Sequence, residues 1–249
     1  MKAVLFLILC CWFTATTSQS LQRLQAQADS LEAAPNEKAA FNVFKLIHQN
    51  YQTNLYAVTK CSELSSRIGS RESDTRSRDN YYAAALAYAK KALAIDPNDD
   101  EANVAMSIAL GRTTMYKSGR EKVSAAREIR RHAEIALNKN PANFKAWHIM
   151  GKWHFEVSNL NMFERAALRV FYGGIPEASL SESIRAYEKA KRLKPDFLLN
   201  YLELAKAYKR NEEDKKALAV LQSIFAYQPR SEDDPRIIKE AHALISKWK

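Results

Sequence analysis

SIRAYEKAKRLKPDFLLNYLELAKAY, Ser183 to Tyr208, carries two helical patterns on either side of Pro195. Before the proline, Ser183, Tyr187 and Ala190 follow at steps of four and three, which sets them on one face of a helix. After it, Tyr201, Leu204, Ala205 and Tyr208 recur at the same kind of spacing. Proline lacks an amide hydrogen and its ring blocks the preceding turn, so it stops the first helix at the edge of a unit. Small side chains on these faces let neighbouring helices approach closely.

The pattern extends in both directions. Pro229 lies 34 residues after Pro195 and is preceded by Ala217, Leu221 and Ile224 at the same offsets. Pro97 follows Ala85, Ala89 and Ala92, and Pro141 follows Ile129, Ala133 and Ala136. Downstream of Pro141 stand Trp147, Met150, Gly151 and His154, matching Tyr201, Leu204, Ala205 and Tyr208 in order. A 34-residue period is the signature of a helix–turn–helix repeat, and these units resemble tetratricopeptide repeats. The stripe returns more weakly at Ala40, Phe44 and Ile47, with Leu24, Ala28 and Leu31 as its first helix, and Val58 with Cys61 and Ser62 opens the next unit. The expectation is an all-α, TPR-like solenoid: about five antiparallel helix pairs in a right-handed superhelix, closed by a capping helix from about Asp234 to Trp248. Residues 21–80 are expected to hold N-terminal helices and a mobile loop at IGSRESDTRSRDN (Ile68 to Asn80), and residues 81–249 the repeat domain, with an insert at 160–180.

The first twenty residues differ from the rest. MKA, then VLFLILCCWF, then TATTSQS reads as a signal peptide cut near Ser18 or Ser20, so export, with the periplasm as destination, is expected. An uncleaved membrane anchor and a lipoprotein are the alternatives. Removing the leader takes Cys10 and Cys11 and leaves Cys61 alone, so no internal disulfide is available. Cys61 falls on a small-residue core position, which favours packing over nucleophilic chemistry. The full chain has a net charge of +10 and only six glycines in 249 residues, which suits a basic helical protein with an acidic partner.

AWHIMGKWHFEV, Ala146 to Val157, concentrates two tryptophans and two histidines. His148 and His154 are six residues apart, about 600° of helical rotation, and therefore face apart. Helical metal chelates need spacings of three or four. Trp147 and Met150 read instead as packing knobs, and Gly151 as the hole that receives the partner helix. No nucleophile–base pair, metal spacing or phosphate loop is present, so a non-enzymatic protein without metal or cofactor is expected, with an accessory subunit of an envelope enzyme as an alternative.

The segments IALGRTTMYKSGREKVSAAREIRRHAEIALNKNP and AWHIMGKWHFEVSNLNMFERAALRVFYGGIPEASL, and the 34-residue unit after them, resemble the regulator of microtubule dynamics family and its bacterial tetratricopeptide relatives. The shared features are Gly111-Arg112 and Gly151-Lys152, the Trp- and His-rich first helix, and the insert leading to PEASL. The resemblance implies a helical scaffold with no catalytic residues and, for the animal members, association with microtubules and mitochondria.

First helices line the inner face of such a superhelix. The expected partner-binding groove therefore holds Arg112, His148, Lys152, Phe155, Glu156, Lys206, Lys209 and Arg210, and its cations would attract an acidic peptide. The Lys and Asn positions of a tetratricopeptide carboxylate clamp are occupied by Thr59, Glu63, Val104 and Ile108, so any ligand is held in another way. Export and the lack of an aromatic-basic sheet motif argue against a nucleic-acid partner. For Leu160 to Leu180 two expectations stand: an extra helix packed on the superhelix, or an apolar element that docks a partner or a membrane surface.

Overall fold

The computed structural model describes residues 20–114 and 119–248. The leader, apart from Ser20, lies outside the described residues. Every element among the described residues is helical: α1 (residues 20–33), α2 (Glu37–Asn50), α3 (Leu55–Arg71), α4 (Thr75–Ile95), α5 (Asp100–Thr113), α6 (Gly119–Lys139), α7 (Phe144–Ser158), α8 (Met162–Tyr172), α9 (Leu180–Leu193), α10 (Leu198–Arg210), α11 (Asp214–Ser223), a 3-10 turn (Ile224–Ala226) and α12 (Asp234–Trp248). The pairs α3/α4, α5/α6, α7/α9 and α10/α11 pack as hairpins, with α8 inserted between the two members of the third. The first helices α3, α5, α7 and α10 touch in succession along one wall. This is the TPR-like solenoid that the spacing predicts, and α12 caps it over the predicted residues.

Local chemistry explains the turns. Asn54, Asp99 and Asn143 cap α3, α5 and α7, each accepting the amide hydrogen three residues on. Asp96 and Asn140, just before Pro97 and Pro141, fold back to accept the amides of Asn98 and Ala142. Pro97 and Pro141 thus sit inside an Asx-type turn that links one helix to the next.

The small-residue stripes face inward as expected. Ala85, Ala89, Ala92, Ala133, Ala136, Ala190 and Ala217 are all fully buried, as are Ala40, Phe44, Ile47 and Tyr187. A serine hydroxyl ties three of the pairs: Ser62 donates to Ala85 O, Ser107 to Ile129 O, and Ser183 to Gly151 O at 2.7 Å. Cys61 is buried, and burial pushes its thiol up to about 12, so it holds no ready thiolate at neutral pH.

The segment 68–80 differs from the loop expected there. Helix α3 runs to Arg71 and α4 begins at Thr75, leaving three linking residues. Asp74 caps α4 through the Ser77 amide, and Gly69 lets Tyr81 and Tyr82 of α4 lie directly on α3. Polar composition marked a solvated turn, but it could not show that the flanks stay helical.

Candidate functional site

Along the wall formed by α3, α5, α7 and α10, side chains of opposite charge alternate and bridge between units. Lys145 on α7 bonds Glu101 on α5 (2.7 Å) and reaches past it to Glu63 on α3. Lys60 stands beside Glu63 and bonds Glu32 of α1 (3.0 Å). Further along, Glu203 on α10 accepts from Lys152 on α7 and from Lys206, each at 3.0 Å. Lys206 also bonds Glu240 of α12 at 2.9 Å. Glu63 and Glu203 are both buried. Burial alone would raise their carboxyls, but the neighbouring cations outweigh it. Lys145, Lys60 and Arg67 hold Glu63 at about 2, and Lys152 with Lys206 hold Glu203 at about 2.

The two ends of the superhelix meet. Glu37 begins α2, and its N–H donates to Glu232 Oε1 at 2.7 Å, across 195 residues of sequence. A carboxylate suits that position because a helix start carries partial positive charge. Arg71, at the end of α3, pairs with Glu37, with Glu232 (3.0 Å) and with Asp233 (3.3 Å). Beside this clasp lies an open cleft of about 360 Å³ whose lining includes Asp29, Glu32, Glu37, Tyr56, Lys60, Arg67 and Arg230.

The eight expected groove residues separate into three groups. Lys152, Glu156 and Lys206 gather around Glu203, with Lys152 3.4 Å from Glu156. Phe155 and Arg210 come together: the guanidinium lies 4.2 Å from the ring centre and donates to Phe155 O and to Ser158. Phe155 itself is half-buried against the α10–α12 core. The remaining three lie apart. Arg112 stacks over Tyr82 of α4 at 5.9 Å. Lys209 turns to Asp214 and the Trp248 ring.

His148, expected to line the groove, is buried. Its ring fits against Tyr187 and Phe197, and its Nδ1 lies 3.0 Å from Asn200 Oδ1, while Asn200 also donates to Tyr187 O. Burial lowers its basicity, so it is held neutral as part of the joint between α7, α9 and α10. Its position on the first-helix face was legible, but the neighbouring α10 that covers it was not. Asn200, Lys145 and Glu203 escaped sequence reasoning. Their partners on other helices lie 13 to 82 residues away in sequence, and no local pattern marks those pairings.

The depressed carboxylates set an acid response. A folded value below the unfolded 4.5 contributes stability that is complete above pH 4.5 and is lost as pH falls towards 2. Each of Glu63 and Glu203 contributes at most about 3 kcal/mol in this way. Glu37 and Glu101, raised mainly by burial, act in the opposite sense. Urea unfolding at pH 7, 4.5 and 3 is expected to show little change over the first interval and a clear loss over the second. Glu203→Gln should make that second drop smaller; an unchanged or steeper drop would contradict the assignment.

The profile of the family described as Regulator of microtubule dynamics protein 1-3 matches residues 24–249. Regulator of microtubule dynamics protein 1 of Mus musculus is 26% identical over 232 residues, covering 91% of this chain and 74% of its own length. The Bos taurus protein of the same name is 28% identical over 162 residues, 65% of this chain and 51% of its own. The alignments therefore span about three quarters of one relative and about half of the other. Among solved structures, a thermophilic TPR protein of Thermus thermophilus aligns with a TM-score of 0.65 at 15% identity, covering 90% of this chain and 99% of its own. Pseudomonas aeruginosa pilF aligns at 0.55 with 10% identity, covering 93% and 89%.

Proposed function

Because the chain belongs to the regulator of microtubule dynamics family, we propose that it works as a non-enzymatic helical-repeat scaffold that holds an acidic segment of a partner protein against its first-helix wall. The observation that carries this reading is the Lys152–Glu203–Lys206 cluster. Glu203 fixes the two ammonium groups in place, while Lys152 keeps half of its side chain exposed and its second carboxylate, Glu156, is exposed too. An exposed i,i+4 pair of this kind is weak. A ligand carboxylate can take the place of Glu156 without unburying Glu203, and the chain's net charge of +10 steers acidic chains towards it.

The test is capture of partners from extract by the wild type, by Lys152→Gln on the wall and by Arg192→Gln on the outer helix α9. Lys152→Gln is expected to retain about a tenth or less of the partner, the usual scale for losing a charge-assisted contact, and Arg192→Gln to retain all of it. Helical circular dichroism should be the same for all three. Equal retention by both variants would end the groove reading.

The names of the relatives favour a second reading, in which the partner is part of the microtubule system. The leader favours delivery out of the cytoplasm, and we keep export as part of the proposal. No helix among the described residues is long and apolar enough to cross a membrane. A mature N-terminus at residue 19 or 21 supports cleavage and export. An intact Met1 together with co-sedimentation on polymerised microtubules supports an anchored microtubule adaptor.

A further inference from the structure

Helix α8 presents an apolar face to solvent. Met162, Phe163, Val170 and Phe171 are 75, 79, 76 and 68% exposed. With the exposed Ala166 and Ala167 they fill an arc of about 180° at roughly 100° per residue. Arg165 and Leu168 lie on the opposite side, half-buried against the body.

The helix is fastened so that this face stays outward. Asn161 and Glu164 form a capping box at its start. Arg165 ties it to the end of α7 and the turn that follows by donating to Val157 O (3.0 Å) and Leu160 O (3.1 Å). Gly173 ends it in the left-handed region, and Arg127 of α6 donates to Gly174 O. The apolar face is thus held at both ends rather than left to fold back.

We infer that α8 is a membrane-docking element that seats its apolar face in the interface of an anionic phospholipid surface. Charge selects this occupant. Arg169 is exposed at one edge of the face and Glu164, tied into the capping box, at the other; Arg165 and Arg127 lie beneath it, and α6, against which α8 packs, exposes Arg120 and Lys122 around Glu121 near its start, so cations outnumber carboxylates around the face. A second copy would bring this basic rim against its own equivalent. An anionic bilayer complements it and receives the apolar side chains without needing a matching protein surface. This docking surface is separate from the first-helix wall and does not depend on what that wall binds.

Hydrogen exchange of residues 162–172 in the full chain tests the inference, because it reads α8 itself whatever the leader does. Vesicles of phosphatidylcholine with phosphatidylserine are expected to slow exchange there at least about tenfold, and vesicles of phosphatidylcholine alone much less. The double variant Phe163→Ser, Phe171→Ser should lose the effect while keeping its helical spectrum, since both side chains are largely exposed. Arg169→Glu should weaken it on anionic vesicles only. Exchange that is unaltered by vesicles, or slowed by raising protein concentration without lipid, would overturn the inference, the latter in favour of self-association.

Discussion

Gly151→Ala is expected to destabilise the protein by about 2–3 kcal/mol, in the range of overpacked cores, although alanine is the better helix former. A Cβ at residue 151 would lie 2.6 Å from Tyr187 Cδ1 and 2.8 Å from two further ring atoms. The ring cannot retreat: Tyr187 is fully buried, His148 packs on it, and its carbonyl is held by Asn200. Relief therefore requires α9 to move off α7, which also strains the Ser183 bond to Gly151 O. Gly111 supplies the control. It occupies the same place in the sequence motif, yet its nearest neighbour to an added Cβ is Ile129 Cδ1 at 4.0 Å. Gly111→Ala is expected to be neutral or to stabilise by about 0.5–1 kcal/mol. Urea denaturation of the two variants checks both, and equal effects would contradict the packing account.

The second large effect is expected from Lys145→Met. It removes the leading counter-charge of a buried carboxylate, a change that costs about 3–5 kcal/mol when no other cation remains. Lys60 and Arg67 still stand near Glu63, so about 3 kcal/mol at neutral pH is expected here. Burial then raises the Glu63 carboxyl, and protonating it becomes easier. The deficit relative to wild type should therefore shrink as pH falls below 4.5, where the wild type loses the same interaction. Lys145→Met combined with Glu63→Leu should recover most of the loss, because the stranded charge is gone. Denaturation of the four members of this double-mutant cycle gives the coupling. A coupling near zero would mean that the bridge from α3 to α7 does not contribute to stability.

These two sites differ in how they could be foreseen. Gly151 was readable as a hole because a small residue sat between Met150 and His154 on a helical stripe, at the place Ala205 takes in the next unit. Its filler, Tyr187, belongs to the stripe before Pro195, 36 residues away and beyond the insert. Lys145 looked like one more surface lysine. Its meaning depends on Glu63, a residue of α3 that its long side chain meets across α5. His148 went the other way: placed by periodicity on the inner face, it is covered by α10 through Asn200.

Sequence alone determined that the chain is helical and how the proline-marked helices pair, though not the ends of α3 and α4, which run into the segment expected to be a loop. The helicity and the pairing rest on local physics: side-chain direction repeats every three or four residues, prolines break the chain at fixed points, and Asn and Asp cap the helix that comes next. The insert at 160–180 was legible for the same reason. Only the tertiary structure decided which charges meet, which of the inner-face residues remain open, and that Glu232 and Arg71 join the two ends. Those outcomes depend on the cumulative rotation from one helix pair to the next. That rotation arises from contacts between side chains far apart in sequence, which local periodicity does not encode.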